Sequence, residues 1–178
     1  LEPLTASASP LWLEWTALIE KRAIKTTQAA TGQKVNLNNH GITIEVLHAP
    51  SSGDAATLDD EGIVLKLSAG RVSFLFTADI TAATEMELIM ARAHLTSTVL
   101  KVAHHGSETA TTGEFLSVVK PSLAIISVGA NSDYGHPTRD TLSRLAGTVG
   151  QEHIYRTDLN GTIELTTDGE RLWLTEDR

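Results

Sequence analysis

Phe74-Leu75-Phe76-Thr77-Ala78-Asp79-Ile80, then a helical segment, then Leu100-Lys101-Val102-Ala103-His104-His105-Gly106-Ser107: these two halves decide how the chain is read. Each is a short apolar run that stops at side chains able to bind a metal. A buried strand gains from ending in a carboxylate or an imidazole pair when strand ends form the lip of a site. Carboxylate oxygen with imidazole nitrogen suits zinc, manganese or iron. Gly106 permits a tight turn after the histidines. Adjacent strand residues face opposite sides, so at most one of His104 and His105 points into a given site unless the strand has already ended. The plainer alternatives are an Asp79 that caps a helix or a turn, and a histidine pair that only hydrogen-bonds a turn.

Working outward, the same pattern recurs. Strands are expected at Val35–Leu37, Ile42–Leu47, Ile63–Leu67, Val72–Phe76, Leu123–Val128, Ile154–Arg156, Thr162–Thr166 and Leu172–Leu174. The last three make a closing meander. The first two form a hairpin turning through Asn38-Asn39-His40-Gly41, with His40 solvated, and Ser51–Glu61 reads as a polar loop. Helices are expected from Pro10, with Trp12 and Trp15 as core anchors; over Thr84–Arg92, with Met86, Leu88 and Ile89 inward; after the capping box Thr111-Thr112-Gly113-Glu114; and through Leu142, Leu145 and Ala146. Strands alternating with amphipathic helices predict a mixed α/β fold, read as a single domain unit over residues 1–178.

The 178 residues carry 41% hydrophobic and 20% charged side chains, ordinary for a globular protein with a real core. No run approaches the roughly 18 apolar residues of a membrane span. The chain has no cysteine, which excludes disulfides and thiolate ligands. Its net charge of −8 opposes tight non-specific binding to phosphate backbones, which relies on Lys and Arg.

Five pieces in fixed order carry a resemblance: Phe-Thr-Ala-Asp-Ile (76–80), Leu-Lys-Val-Ala-His-His-Gly-Ser (100–107), Ile-Ser-Val-Gly-Ala-Asn (126–131), Tyr-Gly-His-Pro (134–137) and Tyr-Arg-Thr-Asp-Leu-Asn-Gly-Thr-Ile (155–163). With them the stretch Leu65–Asp168 resembles the metallo-β-lactamase-type domain at the C-terminus of ComEC-type DNA-uptake (competence) proteins. The resemblance is fainter from Val35 to Pro50. It implies an αββα sandwich, of which the N-terminal portion with its His/Asp-rich motif is expected to be absent here. No His-x-His occurs in the chain.

The resemblance further implies a divalent metal, Zn or Mn, in the complete domain. Asp79 would bridge two ions, and His105 or His104 would complete the second. Ser107, Asn131, Tyr134 and His136 would contact a phosphodiester. Activated water would then attack phosphorus. The implied activity is a nuclease degrading the DNA strand that is not imported. The implied partners are single-stranded DNA and a membrane channel domain of the same protein, with this part on the extracytoplasmic side of a bacterial membrane. A catalytically degenerate structural module of the channel is the alternative. The fragment alone is expected to be inactive, because catalytic zinc normally takes three protein ligands, and to self-associate through exposed sheet surface. Two departures from the family pattern stand out: Asp59-Asp60-Glu61-Gly62 where an Asn-Asn-x-Ser-like run is usual, and Ala78 where a Gly is common.

Overall fold

A computed structural model describes residues 10–37, 41–50 and 62–177. The turn around His40 and the loop Ser51–Glu61 lie outside the described residues. In chain order the elements are α1 (Pro10–Lys21), β1 (Lys34–Leu37), β2 (Ile42–His48), β3 (Val64–Ala69), β4 (Val72–Phe76), α2 (Ala82–Met90), β5 (Val99–Lys101), α3 (Gly113–Val119), β6 (Leu123–Ile126), α4 (Arg139–Val149), β7 (Ile154–Arg156), α5 (Thr157–Asn160), β8 (Thr162–Thr167) and β9 (Leu172–Asp177). The fold is mixed α/β, as the alternation of elements predicts.

Seven strands form one sheet in sequence order, β1 to β7. The first four make an antiparallel meander, and β4 through β7 run parallel. Parallel strands need crossovers, and α2, α3 and α4 supply them. Alternation then sorts the faces. Leu75, Leu100, Ala124 and Ile126 join Leu88, Phe115, Leu116 and Leu145 in one buried cluster beneath these helices. Their neighbours Phe74, Phe76, Lys101 and Ile125 look out of the other face, where they line an apolar groove of about 440 Å³ with Leu67, Ile163 and Leu165. Phe76 is 41% exposed there.

Three expectations need correction. Residues 154–174 are not one meander. β7 pairs parallel with β6, while β8 and β9 form a separate two-stranded sheet. The turn at Asp158–Gly161 contains the short helix α5, and Asn160 folds back to accept from the Arg156 amide at 2.8 Å. Trp12 and Trp15 are not core anchors: α1 buries no residue, and the two rings pack on each other with centroids 5.0 Å apart. Met86 points outward, and Thr84, Glu85 and Leu88 form the buried face of α2.

Candidate functional site

Because β4 to β7 are parallel, the loops leaving β4, β5 and β6 gather at one edge of the sheet. After β4 the chain passes through buried Thr77, whose hydroxyl donates to the Lys101 carbonyl at 2.7 Å. Ala78 then takes φ +47°, the left-handed region that a glycine enters without cost. The family's common Gly at this position therefore has a physical reason, and this chain keeps the turn with a methyl group in place. The turn exposes about half of Asp79.

After β5, His104 and His105 adopt φ +46° and +54°, and Gly106 follows at +86°. The His104 amide donates to the Ala78 carbonyl at 3.1 Å, tying this turn to the one before Asp79. The strand has ended at Lys101, so the face rule no longer separates the two histidines. His105 Nε2 stands 3.6 Å from Asp79 Oδ1. Its Nδ1 lies 2.6 Å from the Ser127 carbonyl. A carbonyl only accepts, so Nδ1 carries a proton, and Nε2 is the ring nitrogen that faces the carboxylate. His104 meets His136 edge-on at 5.6 Å, and Tyr134 stacks on His136 at 6.0 Å. Burial first, and then the nearby His104 and His105 rings, hold the His136 imidazole below its ordinary pKa.

Asp79, His104, His105, His136 and Tyr134 are thus brought into one neighbourhood, and Asn131 stands exposed earlier on the Tyr134 loop. Ser107 is 5% exposed, and its hydroxyl accepts from the Thr109 amide at 3.3 Å. Among the described residues, no group of three or more His, Asp or Glu side chains is arranged to hold a metal ion.

Sequence reasoning missed two parts of the site. Lys101 is pushed below the usual lysine pKa by burial, against the opposing pull of Asp79, and its Nζ donates to the Val102 carbonyl at 2.9 Å. Fully buried Glu85 accepts from the Thr111 amide at 2.5 Å, the Thr112 amide at 2.9 Å and the Thr112 hydroxyl at 2.8 Å. Arg144 donates to the Ala110 and Thr111 carbonyls, and Thr141 to the Ser107 carbonyl. The loop that follows the histidines is therefore gripped from both sides. The signal for Glu85 was its place three residues before Leu88, on the inward face of the helix.

No family model matches the chain. Three curated relatives do. One is ComE operon protein 3 of Bacillus subtilis, 36% identical over 119 residues, covering 65% of this chain and 15% of the relative. Another is competence protein ComA of Neisseria gonorrhoeae, 35% identical over 127 residues, 70% of this chain and 18% of the relative. The third is recombination protein 2 of Haemophilus influenzae, 35% identical over 99 residues, 56% of this chain and 11% of the relative. The chain thus spans less than a fifth of the length of the relatives it matches. Identity of 35–36% over as much as 70% of the chain means that these 178 residues belong to the ComEC-type competence family.

Proposed function

We propose that this chain is the later part of a metallo-β-lactamase-type αββα domain, a metal-dependent phosphodiesterase acting on DNA during uptake. The observation that carries the reading is the Asp79–His105 pair. His105 Nε2 and the Asp79 carboxylate oxygen face one another at 3.6 Å, a spacing that a shared cation can fill. Two ligands of one zinc or manganese ion, each about 2.0–2.2 Å from it, sit at about this separation. The Ser127 carbonyl orients the ring as an outer-shell partner does in metal sites. Asp79 and His105 would hold the ion, with His104 beside them. When bound, the ion would polarise a phosphoryl oxygen and lower the pKa of water. His136, its pKa held down by burial and by the neighbouring His104 and His105 rings, is proposed to accept or pass a proton near the leaving oxygen.

The remaining ligands are proposed to come from an upstream portion of the same polypeptide. The apolar face carrying Phe74, Phe76 and Ile125 supports this, because a second layer laid on it completes a sandwich. Whole-protein features follow only as part of the proposal: a membrane channel domain as neighbour, the extracytoplasmic side as location, and the non-imported single strand as substrate. Among the described residues no helix is long and apolar enough to cross a membrane. A second reading, a degenerate structural module of the channel, draws on the lack of any three-ligand group among the described residues.

Cleavage of plasmid and single-stranded DNA with Mn²⁺ or Zn²⁺ separates the two readings. The complete domain is expected to cleave, its Asp79→Ala variant to lose at least about a hundredfold in rate, and the 178-residue chain to show little or no activity. Full activity of Asp79→Ala in the complete domain would refute the metal role. An inactive complete domain would favour the structural module.

A further inference from the structure

The Tyr134 ring is 84% exposed. One face lies on His136, with the planes inclined by 29°, and the other looks into solvent. His136 meets His104, and His104 meets His105, so four rings lead in a row from solvent to the Asp79–His105 pair. Single exposed aromatics are common on protein surfaces. This one is held by a stacked neighbour and is continuous with the site. Its loop is rooted next to the histidines: the Thr138 amide donates to the Gly106 carbonyl at 3.0 Å, and a Cβ on Gly106 would lie 2.5 Å from Pro137 Cβ.

We infer that the free face of Tyr134 is a stacking platform for one unpaired nucleobase of a strand whose phosphodiester lies at the Asp79–His105 pair. The inference rests on the phosphodiesterase reading and assigns the residue that would hold a base of its single-stranded substrate. The chain's charge of −8 and the acidic Glu108 among the groups acting on His136 make phosphate capture by cations weak at this rim. Affinity must then come from a source that does not use charge. Base stacking on an aromatic ring is such a source, and it is indifferent to sequence because every base has a π-face. Paired bases in a duplex have no free face to offer, so the platform selects unpaired strands.

The test uses the complete domain with Mn²⁺ and compares wild type, Tyr134→Phe and Tyr134→Ala. Anisotropy is read with a short labelled oligothymidylate and with an abasic strand of equal phosphate number. Hydrolysis of bis(p-nitrophenyl) phosphate, which has no nucleobase, is read alongside. Tyr134→Ala is expected to weaken oligothymidylate binding by about fivefold or more, and Tyr134→Phe to hold it within about twofold. The preference for oligothymidylate over the abasic strand should fall by the same factor in Tyr134→Ala, and hydrolysis of the small diester reports whether the domain is a phosphodiesterase. Unchanged oligothymidylate binding by Tyr134→Ala, with the small diester still hydrolysed, would overturn the platform and leave the phosphodiesterase reading intact. Equal losses on the abasic strand would also overturn it, since Tyr134 would then serve the backbone. No hydrolysis of the small diester by wild type would bring down the phosphodiesterase reading itself, and the platform with it.

Discussion

Glu85 is the residue on which most depends at the smallest scale. Its carboxylate is fully buried, and burial raises its pKa against three hydrogen bonds and the Arg144 charge, all of which lower it. A raised folded-state pKa means that the native state holds the proton more tightly than the unfolded chain does. Stability from this group is greatest below the ordinary value of 4.5 and falls as pH rises through the folded value. Urea unfolding from pH 4 to 7 should therefore show a shallower fall in Glu85→Gln than in wild type. Glu85→Ala leaves the Thr111 and Thr112 amides without their acceptor and should cost about 2–4 kcal/mol at pH 7. Ala78 is the opposite case. Its φ of +47° carries a left-handed penalty of about 1–2 kcal/mol that glycine avoids. Ala78→Gly should raise stability by up to about 1 kcal/mol, after the entropy glycine loses on folding, and thermal unfolding would register it. An unchanged or lower melting temperature would count against the geometry assigned to this turn.

Beside the Asp79 turn, the turn at 103–106 meets the loop at 131–137, and Gly106 joins them. A methyl group there meets Pro137 Cβ at 2.5 Å, at a φ of +86° that side chains rarely adopt. Gly106→Ala should cost about 2–3 kcal/mol, and it should lower Mn²⁺ affinity of the complete domain because the His105 turn shifts with it. A variant as stable as wild type would show that the loop does not press on the turn. At this scale the sequence was legible where periodicity carries the information. Val72–Phe76 and Ile154–Arg156 are strands over the residues expected. Periodicity names a strand but not its neighbour, so β7 was grouped with β8 and β9 rather than with β6. It marks a stripe but not a partner, which is why α1 read as a core helix. Left-handed φ at two successive histidines is not dictated by residue type, so the turn that brings both rings to the site could not be read before the structure.

Over the molecule as a whole, the sheet is asymmetric. One face is sealed by α2, α3 and α4, and the other presents Phe74 and Phe76 with stacked rings 6.4 Å apart. An open apolar face of this kind drives association in water. The 178-residue chain should self-associate in sedimentation velocity, and Phe76→Lys should shift it toward monomer without loss of helix content. A wild-type chain that stays monomeric at high concentration would argue that the face needs no cover. The proposed chemistry depends on the Asp79–His105 pair being a metal site. Anomalous diffraction from crystals of the complete domain grown with Mn²⁺ tests that most directly. The predicted result is an ion about 2.0–2.2 Å from an Asp79 carboxylate oxygen and from His105 Nε2, with Nδ1 still on the Ser127 carbonyl. An ion bound elsewhere, with Asp79 and His105 paired directly to each other, would contradict it.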